Sequence, residues 1–309
     1  MLQELKTKLR EIPFLRGAYL RLKRGLTNEL VGMTSRFEQD YFAEYGEKIY
    51  VGKGEIVDLG CWLGSTTIPL VKGLLKNPAF VGSGRKVFAY DLFVWFEWMN
   101  DSTFGTDLAQ KYREGDIFVE EFKLRTKDFA EHIEICAGDL REIGWTGASI
   151  EFLLIDAMKD WSLANAIVRD FYPSLVPNES VVLHQDFAHF FTPCIHLVQW
   201  LFRENFEFAN EVANSPSVIF KYTSKIDGEL LQKTYGYDSF SDEDVNAAFE
   251  YSMSLVSDEK LPNVAAAKVM WFLHQGKREQ AKTVFENLLE SGVRLEKDLI
   301  NVKELLEKN

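Results

Sequence analysis

The sequence predicts an α/β fold: a doubly wound, mostly parallel sheet with an antiparallel last strand, N-terminal helices and a C-terminal helical appendage. Three observations predict it. Between residues 55 and 222, short apolar runs alternate with helical patterns. One run, "IEFLLIDA" (150–157), is apolar almost throughout, as a strand buried on both faces must be. Two later runs, "FEFANEVA" and "SVIFKYT", lie close enough to pair as an antiparallel hairpin at a sheet edge.

The elements follow in order. The first 26 residues, "MLQELKTKLREIPFLRGAYLRLKRGL", carry seven basic side chains against Glu4 and Glu11. Leu2, Leu5, Leu9 and Ile12 recur at helical spacing until Pro13 interrupts. This basic helical arm is assigned residues 1–32. Two readings stand for it: surface helices packed on the core or on a second copy of the chain, which is preferred, and a peripheral contact with an anionic membrane. "TSRFEQDYFAEYGEKIYV" reads as a helix with Phe37, Tyr41 and Tyr45 on one face. The strand "EIVDLG" and the helix "GSTTIPLVKGLLK" come next, then the strand "KVFAYD". A long aromatic and acidic excursion, Leu92 to Asp128, precedes the strand "HIEICAGD". After "IEFLLIDA" come the helix "SLANAIVRDFYPSL", the strand "ESVVLHQD", the helix "CIHLVQWLFREN" and the hairpin. The α/β domain is assigned residues 33–225.

From Asp238 the pattern is helical, and residues 238–309 form a third region. Ser241 with Asp244 three residues on predicts a capping box. Two helices joined at Gly276 resemble one tetratricopeptide-type unit without an array, so a helical cap or dimer surface is the expected role.

Composition narrows the function. Hydrophobic residues make up 46% of the 309, enough for a sizeable core. The net charge of −12 excludes a general nucleic-acid role, which needs a positive field. Three scattered cysteines argue against disulfides and structural zinc. No apolar run approaches the ~20 residues of a membrane span, and no signal-peptide centre is present, so a cytoplasmic location is expected.

The decisive stretch is "IVDLGCWLGSTT" (56–67). A dinucleotide fingerprint needs a glycine where Trp62 stands, and a phosphate-binding loop needs a Gly-Lys-Ser/Thr that does not follow. What remains is a turn that takes an uncharged ligand edge against its backbone. Asp58, Asp91, Asp139 and Asp156 stand at four successive strand ends, with Asp186 near the fifth. Ligands on such sheets bind outside those ends.

The residues "GEIVDLGCWLGSTT" resemble the first motif of class I S-adenosylmethionine-dependent methyltransferases, and more narrowly the macrocin O-methyltransferase family of sugar methyltransferases. The resemblance covers roughly Met33 to Lys221. It implies a cofactor site of Asp58, Gly60, Cys61, Trp62, Gly64, Ser65, Thr66, Asp91, Leu92, Gly138, Asp139, Leu140 and Asp156. Within it Asp58 would hold the methionyl amino group, Asp91 the ribose diol and Asp139 the adenine amino group. "IDAMKDW" also resembles the catechol-type O-methyltransferases, in which an Asp binds Mg²⁺ and a Lys three residues on acts as base; Asp156 and Lys159 fit that spacing.

Proton removal from an acceptor hydroxyl needs a base or a metal. The candidates are Asp156, Lys159, Asp186 and His189, with Asp160 and His184 nearby. A Mg²⁺ site on Asp156 and Asp186 and a metal-free mechanism both stay open. Phe93, Trp95, Phe96 and Trp98 form either a lid over the acceptor or a satellite core. The expected function is methyl transfer to a small molecule, a sugar or glycosylated natural product first and a phenol second. A scaffold on the same fold is the alternative, and homo-oligomerisation is compatible with either.

Overall fold

The structure, a computed structural model, describes residues 30–106 and 108–308. Apart from Leu30–Gly32, the predicted basic arm lies outside the described residues. The strands are β1 (Glu55–Leu59), β2 (Val87–Asp91), β3 (Ile133–Ala137), β4 (Ile150–Ile155), β5 (Val181–His184), β6 (Phe206–Glu211) and β7 (Val218–Tyr222). They form one sheet in the order β3-β2-β1-β4-β5-β7-β6. The pairs β1/β4, β2/β3 and β4/β5 are parallel, and β7 runs antiparallel to both β5 and β6. This is the doubly wound, mostly parallel sheet with an antiparallel last strand that the sequence predicts. The predicted hairpin forms, with β6 at the edge.

The chain divides into two compact units. One comprises the segment ending at Val51 together with Gly60–Asp139. Its helix α1 (Arg36–Glu44) opens on a capping box. Ser35 Oγ accepts the Glu38 N–H at 3.3 Å, and the Glu38 carboxylate accepts the Ser35 N–H at 2.7 Å. A π-helical turn, Tyr45–Ile49, follows. Glycines let helix α2 (Thr67–Leu74) approach this segment closely: a Cβ on Gly73 would lie 2.1 Å from the Ala43 carbonyl oxygen. Asn77 locks the contact, donating to the carbonyls of Gly46 (2.9 Å) and Tyr50 (2.7 Å).

The excursion after β2 carries α3 (Trp98–Ser102), α4 (Leu108–Lys111) and α5 (Val119–Thr126). Trp95 N–H donates to the Asp116 carbonyl (2.8 Å) and Phe118 N–H to that of Phe93 (2.9 Å), making a short antiparallel ribbon. Trp95 stacks on Tyr112 at 5.0 Å and 27°, and Phe93 packs on Phe118 and Phe122. Phe93 and Trp95 are therefore a satellite core, whereas Phe96 and Trp98 are exposed.

The second unit comprises Gly52–Leu59 and Leu140 onward. All six residues of β4 are buried, including Glu151. Its carboxylate is satisfied by the backbone N–H groups of Lys53 and Gly54. The helices are α6 (Trp161–Asp170), α7 (Cys194–Leu201), α8 (Gly228–Gln232), α9 (Asp242–Leu255), α10 (Leu261–His274), α11 (Arg278–Glu290) and α12 (Asp298–Glu307). The Ser241–Asp244 capping box opens α9. Gly276, at φ 71°, ends α10, with Lys277 N–H donating back to the Phe272 carbonyl at 3.0 Å. The buried Lys260 ammonium donates to the carbonyls of Val212 (2.7 Å) and Ser217 (3.0 Å), fastening the start of α10 to the β6–β7 hairpin. Among the described residues no helix is long and apolar enough to cross a membrane.

Candidate active site

The turn after β1 depends on left-handed backbone. Gly60 (φ 94°) and Gly64 (φ 83°) adopt it readily, but Trp62 (φ 41°) does so against its side chain. Asp91 holds it there: Asp91 Oδ2 accepts the Trp62 N–H at 2.9 Å. Asp91 Oδ1 accepts the Phe93 N–H at 2.7 Å, and the Asp91 carbonyl accepts the Gly138 N–H at 3.0 Å. One residue thus joins the loops that follow β1, β2 and β3. Burial pushes its carboxyl above the usual carboxylate range, opposed by the two N–H groups of Phe93 and Trp62. A carboxylate oxygen accepts two hydrogen bonds, so each oxygen keeps acceptor capacity.

The other predicted turn residues divide by burial. Cys61, Ser65 and Thr66 are buried. Ser65 lies under the chain before α1: Thr34 Oγ1 donates to its carbonyl at 3.3 Å, and a Cβ on Gly32 would meet its Oγ at 2.1 Å. Trp62 is buried too, 5.7 Å from the half-exposed Trp98, and its indole N–H has no hydrogen-bond partner. Leu92 is exposed, Leu140 is buried, and Gly138 and Asp139 are half-buried. In the second unit Asp58 is fully buried near the end of β1.

The loops after β4 and β5 bring three predicted residues together. Lys159 Nζ donates to Asp156 Oδ1 at 2.5 Å and also to Asp186 Oδ2. The Lys159 side chain is about half exposed, and the two carboxylates outweigh its partial loss of hydration and hold its pKa above the usual lysine value. A lysine kept protonated in this way is a cation and a donor, not a proton acceptor. The same geometry counts against Mg²⁺ on Asp156 and Asp186, because the ammonium already lies between the two carboxylates. Among the described residues no group of three or more His, Cys, Asp or Glu side chains could hold a metal.

The histidines do not join this cluster. His189 Nδ1 accepts the Phe191 N–H at 3.3 Å, and its ring packs on Phe190 and Phe191. It lines a cavity of about 280 Å³ with Asn263, Lys297 and Asp298. His184 is fully buried in β5, and burial lowers its pKa to about 3.

Sequence reasoning missed another group. A cavity of about 270 Å³ beside Lys159 and Asp160 is also lined by Trp161, Cys194, Tyr237 and His274. The only local sign was Trp161 directly after "AMKD"; nothing in the sequence links Tyr237 or His274 to it.

No family model and no curated protein matches the chain. Solved structures resemble it distantly. The O-methyltransferase NovP is 15% identical, with a TM-score of 0.48 over 63% of this chain and 83% of that one. A SAM-dependent O-methyltransferase from Thermotoga maritima is 12% identical, with a TM-score of 0.40 over 66% and 71%. The pyocyanin biosynthetic protein PhzM is 13% identical, with a TM-score of 0.36 over 61% and 56%. Likenesses this distant decide nothing about chemistry or substrate.

Proposed function

We propose that this chain is an S-adenosylmethionine-dependent O-methyltransferase acting on a small hydroxylated molecule, with a sugar unit as the preferred acceptor. The observation that carries the reading is Asp91. Its carboxylate is fixed by two backbone N–H groups and retains an acceptor site on each oxygen, as a ribose diol requires. Asp58, the Gly60–Gly64 turn, Gly138 and Asp139 would hold the remainder of the donor. When bound, the donor supplies a methyl group on an activated sulfonium.

The residues of the second unit would serve the acceptor. As the new C–O bond forms and the C–S bond breaks, the acceptor hydroxyl must lose its proton. Asp186 is assigned as the proton acceptor. Lys159 spends two of its three N–H donors on Asp156 and Asp186, which leaves the third to stabilise the developing alkoxide. Calorimetry with S-adenosylmethionine, followed by label transfer to sugar and phenolic acceptors, tests the reading. Absence of donor binding would overturn it, and binding without transfer to any acceptor would favour a scaffold.

A further inference from the structure

We infer that the C-terminal region completes the acceptor site, and that the cavity bounded by Lys159, Asp160, Trp161, Tyr237 and His274 binds one neutral sugar ring. The inference deepens the proposed function and rests on it for the methyl donor.

The cavity lies wholly within the second unit. At about 270 Å³ it falls near the lower end of small-molecule sites, which suits a single ring. One wall is the Trp161 indole, held in place by stacking on Phe240 (5.6 Å, 22°) and by edge contacts with Tyr237 and Trp271. A fixed aromatic surface suits the apolar face of a ring. The Trp161 N–H is buried without a hydrogen-bond partner among the described residues.

The polar side of the cavity is built as firmly. Tyr237 Oη lies 3.2 Å from His274 Nδ1. Burial lowers the His274 pKa, which favours the neutral ring, and the pair offers both donors and acceptors. The segment that carries Tyr237 is anchored on α6: Asn165 donates to the Tyr235 carbonyl and accepts the Tyr235 N–H, both at 2.8 Å. Burial pushes the Cys194 thiol up to about 12, so it brings no charge.

Charge selects among ligands. The single ammonium, Lys159, is already matched by Asp156 and Asp186, and Asp160 adds a further carboxylate. A phosphate or carboxylate ligand would enter a site with excess negative charge. A phenol would use the aromatic wall but leave most of the polar groups unmet. A neutral polyol ring uses both.

The test uses the full chain and a panel of methyl glycosides (gluco, galacto, manno and rhamno), with catechol and glucose 6-phosphate for comparison. Saturation-transfer NMR should show ring protons of at least one glycoside in contact with the protein. Tyr237→Phe and His274→Gln should weaken that binding about tenfold while leaving S-adenosylmethionine affinity unchanged by calorimetry. Donor binding with no glycoside contact, with contact indifferent to both variants, or with catechol alone responding to them would overturn the inference. Glycoside contact sensitive to both variants, but without donor binding, would support the cavity and sink the methyltransferase reading instead.

Discussion

Asp91 Oδ2 accepts the backbone N–H of Trp62, so the acid at the end of β2 fixes the strained residue in the turn after β1. Asp91→Ala should therefore weaken S-adenosylmethionine binding by about 1.5–3 kcal/mol, the range for hydrogen bonds to a charged group. Asp91→Asn keeps the shape and should lose less. Calorimetry decides the matter, and an unchanged affinity for the alanine variant would remove Asp91 from the donor site.

Lys159→Met should lower turnover by about 10²–10³-fold, as loss of an oxyanion donor does, with donor affinity preserved. EDTA should leave wild-type turnover intact. A strict Mg²⁺ requirement would show that the ammonium gives way to a cation and would reinstate the metal on Asp156 and Asp186.

Because the folded-state pKa of Lys159 is raised, its contribution is present below the usual lysine value and is lost only as pH climbs through the higher folded value. The alkaline limb of the rate profile should therefore show no lysine deprotonation near the ordinary lysine value of 10.5. A fall there, absent from Lys159→Arg, would contradict the ion-paired geometry.

Two buried histidines set an acid limit. His184 and His196 have pKa values lowered to about 3, by burial in both cases and additionally by His184 in the case of His196. No ring nitrogen of either has a hydrogen-bond partner. The unfolded chain binds their protons near pH 6.5 and the folded chain does not, so their contribution is intact above that value and declines as pH falls toward 3. Thermal melts between pH 7 and pH 4 should show this decline, and His184→Leu combined with His196→Leu should flatten it.

Gly73→Ala tests the packing beneath the turn. The added methyl would fall 2.1 Å from the Ala43 carbonyl oxygen, which is backbone and cannot swing away. Destabilisation of about 1–3 kcal/mol is expected, read by denaturant unfolding. A neutral result would mean that the α1–α2 contact adjusts.

The strands, the hairpin and the Ser241 cap were legible because each is written in a few adjacent residues. The place of Asp91 at the end of β2 was legible too, since an acid ending an apolar run is a local signal. Three features were not. Whether Lys159 faces a proton or a pair of carboxylates depends on Asp186, which only the β4–β5 pairing brings near. That the chain before α1 folds over Ser65 follows from a bond spanning 31 residues, which no local pattern announces. Tyr237 reaches the cavity through the anchoring of Tyr235 on Asn165, and meets His274 from the end of α10, contacts that no periodicity encodes.

The ammonium of Lys260 carries one more consequence. It sits among the carbonyls of the hairpin, so a fragment ending after the last strand would leave those oxygens without their donor and strip Phe249 from the His196 ring. Dissecting the chain at residue 225 should yield insoluble material rather than a minimal enzyme.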